Sequence, residues 1–177
     1  MKKVLSLLCV CGFVGGCLWS CGRNVSYSDI PEISFKSLVF EDRIDPDLGK
    51  ARFSVLTFSF IDGDGDIGVR SPDDANSKIH YIWYKKLAGK YEPYQFASGT
   101  VADSTDIPYS SVMNKDDANN KTLKGAIEAA LSPPLNPQGV DTMRIEFYIF
   151  DRARNKSNVE YTPDFSILNP PEEPITK

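Results

Sequence analysis

Three aspartates spaced two residues apart form the most chemically distinctive segment of the chain. They lie in the loop Asp62-Gly63-Asp64-Gly65-Asp66-Ile67-Gly68. Carboxylates at this spacing can surround one hard cation, because the intervening glycines let the backbone curl. Calcium accepts about six to eight oxygen ligands in a flexible geometry, which suits such a loop better than the strict octahedron of magnesium. The sequence therefore predicts that Asp62, Asp64 and Asp66 bind calcium.

The aspartate loop resembles the calcium loop of EF-hand proteins but departs from it in two ways. Ile67 stands where the EF-hand glycine is expected, and a predicted strand rather than a helix leads into the loop. A calcium-bound loop at the end of a β-strand is the better description. Asp151, which follows another predicted strand, would add a fourth carboxylate if both strands end on the same side. The alternative is an acidic turn held by side-chain hydrogen bonds without metal.

Strand-like segments surround the loop and must position it. The clearest has Met143, Ile145, Phe147 and Ile149 on one face, and the others are Ile33–Phe40, Arg52–Ile61, Ile79–Leu87, Tyr91–Phe96 and Asn158–Leu168. Residues 121–131 fit the period of a helix and that of a strand, and the neighbouring strands favour a strand. About seven strands separated by turn signals predict an all-β fold, an antiparallel immunoglobulin-like β-sandwich.

The first 21 residues are typical of a lipoprotein signal. Lys2 and Lys3 precede an apolar run that is shorter than the roughly 20 residues of a membrane-spanning helix. Ser20 then gives a small residue before Cys21, the expected lipidation site. Cys17 is the alternative, because smaller residues precede it. The alternative interpretations of the same segment are an uncleaved N-terminal anchor and a plain secretory signal.

The domain plan follows from composition. We expect a signal peptide over 1–20, a tether over 21–31, a sandwich over 32–168 and a disordered tail over 169–177. Loss of the leader leaves 18 basic and 24 acidic side chains, a net charge of −6, which argues against nucleic acid as a partner. Residues 22–177 contain no cysteine, so core burial and metal, rather than disulfides, would stabilise this part.

Other reactive side chains give weaker signals. His80 is the only histidine, no Gly-x-Ser-x-Gly motif occurs, and a zinc site or a serine hydrolase is not expected. A hydrolase that uses carboxylate pairs is a third hypothesis, and the sequence favours a protein that is not an enzyme. One group of aromatic residues would form either core or an exposed face that binds sugars or proteins, with core favoured. Its members are Tyr81, Trp83, Tyr84, Tyr91, Tyr94 and Phe96.

Three segments together carry a resemblance to a known group of proteins. They are the leader, the run from Phe58 to Gly68 and the run from Phe147 to Asn158. They resemble small, mostly uncharacterised lipoproteins of Bacteroidota-type bacteria, with Arg154 where those proteins have glycine. The resemblance implies a lipid-anchored protein of the outer membrane with a sandwich-like fold, and it implies no activity. Gly22-Arg23-Asn24 replaces the acidic run of surface-exported lipoproteins, which favours the periplasmic face.

The function expected from these features is a binding or assembly module of the cell envelope. The module would be a calcium-stabilised β-sandwich held to the membrane by its lipid, and its partner would be an envelope protein or a glycan. The alternative is a carbohydrate-binding accessory lipoprotein of a glycan-uptake system, which would use the aromatic residues of the predicted sheet.

Overall fold

The computed structural model describes residues 26–45, 49–69, 76–96, 98–107, 122–131, 133–134, 139–140 and 142–177. The predicted signal peptide and both candidate lipidation sites, Cys17 and Cys21, lie outside these residues. Every regular element of the described part is a β-strand. In chain order the strands are β1 (Glu32–Asp45), β2 (Gly49–Asp62), β3 (Lys78–Leu87), β4 (Lys90–Pro93), β5 (Ala102–Asp106), β6 (Leu123–Leu131), β7 (Thr142–Phe150), β8 (Glu160–Tyr161), β9 (Phe165–Ser166) and β10 (Ile175–Thr176).

The strands form two antiparallel sheets. In the first sheet the order is β10-β1-β2-β6. In the second the order is β4-β3-β7-β8, with β5 also paired to β3 and β9 also paired to β7. Both sheets contribute side chains to one hydrophobic core, so the predicted antiparallel sandwich is confirmed. Its immunoglobulin-like type stays a prediction.

Strict alternation along β7 builds one wall of the core. Met143, Ile145, Phe147 and Ile149 are each 0% exposed, as their spacing predicted. The ring of Phe147 lies 5.4 Å from that of Phe58 on the opposite sheet, measured between centroids. Aromatic contacts across the interior therefore join β2 to β7.

The segment whose pattern fitted both a helix and a strand is the edge strand β6. All its residues pair with β2, from Leu123 opposite Asp62 to Leu131 opposite Ser54. Ile127, Ala129 and Leu131 face the core. A helix at this position would leave the backbone groups along one edge of β2 without partners, so tertiary pairing decides the structure.

The β1–β2 hairpin is longer than the sequence predicted. The first predicted strand ends at Phe40 and the second begins at Arg52, but the two observed strands stay paired until Asp45 faces Gly49. Charged residues continue the ladder here, and Arg52 Nε donates to Asp42 Oδ1 across 2.8 Å. Because β6 pairs with β2 only from Ser54 onward, residues 41–45 and 49–53 form a two-stranded extension, which we call the distal ribbon.

Three other expectations need correction. The sequence of residues 99–118 is loop-like, with a short extended piece around 107–109, but the segment contains β5, which pairs with β3. The predicted last strand, 158–168, is divided into β8 and β9, since Pro163 between them cannot donate to a ladder. The tail over 169–177 was expected to be disordered, but it includes β10, where Ile175 pairs with Leu38. The C-terminal residues therefore belong to the first sheet.

Candidate metal site

Three carboxylates meet at one end of the sandwich. Asp62 is the last residue of β2, Asp66 follows it in the loop, and Asp151 comes directly after β7. One oxygen from each carboxylate lies within 4.8 Å of the other two. β2 and β7 belong to different sheets, so the cluster closes the gap between the sheets at this end. We call these three residues the aspartate cluster.

Hydrogen bonds between side chains and backbone shape the loop after β2. Asp62 Oδ2 accepts from the backbone N–H of Asp66 across 2.9 Å, which closes a four-residue turn. Asp66 Oδ2 in turn accepts from the N–H of Ala153 across 2.8 Å. The N–H of Arg152 also donates to the carbonyl of Asp66, at 3.2 Å. The loop after β2 is therefore attached to the turn after β7.

The turn after β7 fixes the carboxylate of Asp151. Its Oδ1 accepts from the backbone N–H of Asn155 across 2.7 Å, and its Oδ2 accepts from the side-chain Nδ2 of the same residue across 2.8 Å. Asp151 is 0% exposed. Asn155 therefore orients Asp151 with both donors, and the spacing Asp151-x-x-x-Asn155 is the signal by which the sequence could have assigned this role.

Two buried oxygens of the aspartate cluster have no hydrogen-bond partner among the described residues. They are Oδ1 of Asp62 and Oδ1 of Asp66. Asp62 is 0% exposed, so bulk solvent does not supply the missing hydrogen-bond partner. A buried carboxylate oxygen without a partner is costly, and such atoms need an explanation such as a bound ion. A cation held between the carboxylates would satisfy such oxygens.

The raised pKa values of two cluster residues also favour a bound cation. Burial, followed by the nearby charge of Asp64, raises the pKa of Asp62 to about 7, with smaller contributions from Asp66 and Asp151. Burial is also the first cause of the raised pKa of Asp66. The carboxyl groups of Asp62 and Asp66 thus resist ionisation when nothing balances their charge. A divalent cation would supply that balance, and an all-oxygen donor set on two loops fits calcium.

The predicted ligands divide into two groups. Asp62, Asp66 and Asp151 come together, whereas Asp64 is exposed and lies outside the group of three. An extended chain would place all three aspartates on one face, but the turn that Asp62 closes with the N–H of Asp66, with Gly65 at a φ of +71°, breaks this alternation and leaves Asp64 exposed. Its charge still acts on Asp62, as the raised pKa of that residue shows.

The N-terminal segment crosses the aspartate loop, which the sequence did not indicate. The backbone N–H of Gly63 donates to the carbonyl of Ser28 across 2.8 Å, and Asn155 Nδ2 donates to the carbonyl of Asp29 across 3.4 Å. Lys124 Nζ lies 3.6 Å from the ring centroid of Tyr27. Residues 26–31, expected to be part of a tether, therefore pack on the fold beside the aspartate cluster.

The aromatic group is divided between the core and the outer face. Tyr81 and Trp83 are 4% and 0% exposed, so the reading that they form an exposed sugar-binding face is wrong. Tyr84 and Tyr91 are half-buried on the outer face of the second sheet. The guanidinium of Arg144 covers them, at 5.6 and 3.6 Å from the two ring centroids. Tyr94 and Phe96 pack together at the margin of the core.

His80 also lies on the outer face. Its ring stacks on Tyr148, with centroids 5.3 Å apart, and meets Phe150 edge-on at 5.2 Å. Burial and the charges of Lys78 and Lys156 lower the pKa of His80 below its ordinary value. These contacts make His80 a packed surface residue.

Comparison with known proteins does not assign a function, so function must be inferred from the geometry of the site. No family model, curated protein or solved structure matches this chain. The described residues contain no helix long and apolar enough to cross a bilayer.

Proposed function

We propose that this protein is a lipid-anchored module of the bacterial cell envelope, stabilised by calcium, that binds or assembles partners and is not an enzyme. The aspartate cluster would hold the metal through Asp62, Asp66 and Asp151. The observation that carries the metal proposal is the pair of buried, unpartnered oxygens on Asp62 and Asp66. Calcium would replace the missing hydrogen-bond partners and the missing positive charge together.

The anchor part of the proposal rests on the sequence. The basic start, the apolar run and the pair Ser20-Cys21 support lipidation at Cys21, with Cys17 as the second candidate. Several acyl chains on one cysteine give stable attachment to a bilayer. We place the protein on the outer membrane and on its periplasmic face. The immunoglobulin-like type of the sandwich belongs to the same proposal.

Calorimetry on the full chain in detergent tests the metal proposal. We expect a heat of calcium binding and a higher melting temperature in calcium than in chelator. The Asp66→Asn variant should lose most of both effects. Glu92→Gln is the control, because it removes the same charge from an exposed residue of β4 outside the cluster. An absence of binding heat together with an unchanged melting temperature would refute calcium binding.

Mass spectrometry of the protein extracted from membranes tests the anchor. A mass that corresponds to cleavage before Cys21 plus acyl chains is expected. Cys21→Ser should abolish both the added mass and the membrane association, whereas Cys17→Ser should leave them intact. The opposite pattern would move the anchor to Cys17.

A second candidate function is that of a carbohydrate-binding accessory lipoprotein of a glycan-uptake system. The observation that favours it is a pocket on the outer face of the second sheet, lined partly by His80 and Phe150. Half-buried rings beside a pocket give a sugar an apolar surface to pack on. The buried Trp83 takes no part in this candidate function.

A further inference from the structure

A pocket of about 230 Å³ opens on the outer face of the second sheet, next to the turn after β7. Its lining residues are Asn76, Lys78, His80, Phe150 and Arg154. Lys78 and Phe150 face each other in the β3–β7 register, and His80 is two residues along β3 on the same face. The regular part of the sheet therefore forms the floor of the pocket, and the turn supplies Arg154.

Positive charge collects around this pocket, although the chain as a whole is acidic. Lys78 and Arg154 line it, and Lys156 lies close by with its Nζ 3.7 Å from the ring centroid of Tyr148. The described acid that pairs with these cations is Asp106, whose Oδ1 is 3.2 Å from Lys78 Nζ. Among the described residues around the pocket, the cations outnumber the acids even after Lys78 is paired with Asp106, and this local excess of positive charge would attract an anion.

Arg154 is the most informative lining residue. Its backbone φ is +71°, in the left-handed region where glycine is favoured and long side chains are strained. Its guanidinium makes no hydrogen bond or ion pair with any described residue. Residues in sparsely populated backbone conformations are enriched at functional sites, and the exposed guanidinium of Arg154 is available to a ligand.

The floor of the pocket is aromatic. The rings of His80 and Phe150 meet edge to face, and the residues are half-buried. The faces of Tyr84 and Tyr91 farther along the sheet are covered by Arg144, whereas His80 and Phe150 line the pocket. Aromatic rings pack well on the C–H faces of sugars.

We propose that this pocket binds an acidic monosaccharide unit, with the sugar carboxylate at Lys78 and Arg154 and the ring against Phe150 and His80. A guanidinium matches the planar geometry of a carboxylate. The volume lies below the range of about 300–1,000 Å³ that is usual for drug-sized ligands, which suits a single ring. The inference rests on the proposed function only in taking this protein to be a binding module, and it does not require the metal.

Titration calorimetry on the full chain in detergent tests this inference, with glucuronate as the probe and glucose and acetate as comparisons. We expect saturable binding of glucuronate and at least tenfold weaker binding of glucose, which lacks the charge, and of acetate, which lacks the ring. Arg154→Gly should weaken glucuronate binding at least tenfold without lowering the melting temperature, because glycine relieves the strained φ. Lys90→Gln removes the same charge from the exposed first residue of β4 and should leave binding unchanged.

Three results would overturn the inference: no saturable binding of glucuronate, equal binding by the Arg154→Gly variant, or equal affinity for acetate. The calcium-dependent shift in melting temperature is measured on the same samples. A failure of sugar binding with the calcium shift intact removes the pocket inference alone. Loss of the calcium shift with sugar binding intact removes the metal proposal alone.

Discussion

The backbone N–H of Gly63 donates to the carbonyl oxygen of Ser28 across 2.8 Å, although the two residues are far apart in the chain. This bond lies next to Asp62, whose carboxylate belongs to the aspartate cluster. A Cβ atom at residue 63 would sit only 2.5 Å from the carbonyl oxygen of Tyr27 and 2.6 Å from that of Ser28. Glycine is therefore required by this close approach, in addition to any curling of the loop.

Replacing Gly63 by alanine should displace the N-terminal segment. The new methyl group would collide with backbone atoms, which cannot move aside as a side chain can, so we expect a loss of about 1–3 kcal/mol in the free energy of unfolding. Denaturant titration measures the loss, and the amide chemical shifts of Tyr27 to Asp29 report the displacement. Gly125→Ala is the control, because its Cβ would meet the ring of Phe60 at 3.2 Å and that ring can adjust. Equal effects from the two variants would contradict this account.

The stability of the metal-free protein should depend on Asp62 in a defined pH window. The pKa of this carboxyl is 3.8 in its ordinary state and about 7 in the fold. Between these values the folded protein holds a proton that the unfolded chain has lost. The stabilisation from Asp62 is therefore complete below about pH 4 and is lost as pH rises through 7.

The comparison protein is the Asp62→Asn variant in chelator, because its amide keeps an oxygen for the N–H of Asp66 and cannot ionise. Its melting temperature should exceed that of the wild type increasingly from pH 5 to pH 8. Addition of calcium at pH 8 should reverse this order, since only the carboxylate binds the ion well. If the melting temperatures of the variant and the wild type instead change with pH in the same way, Asp62 does not titrate in this window.

The β3–β4 hairpin has a turn that the sequence does not fully optimise. Its two central residues, Ala88 and Gly89, have φ values of 48° and 80°. This is the type I′ arrangement, which favours asparagine followed by glycine. Ala88→Asn should raise the free energy of unfolding by about 0.5 kcal/mol, and Gly89→Ala should lower it by about 1 kcal/mol. Thermal unfolding measures both, and a stabilising Gly89→Ala would refute the assigned turn.

Trp83 should behave as a core residue. It is 0% exposed, and its ring meets that of Phe165 edge-on with centroids 5.9 Å apart. Trp83→Ala should cost about 3–5 kcal/mol of stability because it leaves a large cavity. Tyr84→Ala, one residue along the strand on the outer face, should cost clearly less. Denaturant unfolding of the two variants compares the faces of β3 directly, and similar losses would argue against the assigned orientation.

The strands of the core were predictable because burial imposes a period of two. Met143 to Ile149 alternate so regularly that one face had to be buried, and the structure confirms it. The segment that forms β6 was harder to predict from the sequence, because its Ala and Leu residues suit a helix. Only its position beside β2 decides in favour of a strand.

The aspartate cluster was predictable in part. The spacing of Asp62 and Asp66 indicated that they could converge, and the loop after β7 suggested a place for Asp151. The outward position of Asp64 depends on the particular turn that Asp62 closes with the N–H of Asp66. The contact of Ser28 with Gly63 could not be predicted, because a backbone-to-backbone bond over that distance leaves no side-chain pattern.

The distal ribbon divides the β1–β2 hairpin into two regions of unequal protection. Near Phe35 and Phe58 the hairpin has β6 at its side and the second sheet beneath it. At Ile44, which is 89% exposed, the partner strand is its only paired neighbour among the described residues. Two strands without a packed face are marginally stable in water. Amide hydrogens of residues 41–45 and 49–53 should therefore exchange with solvent through local fraying. Those of the same strands inside the sandwich should exchange only on global unfolding. One continuous hairpin thus contains a boundary between two cooperative units.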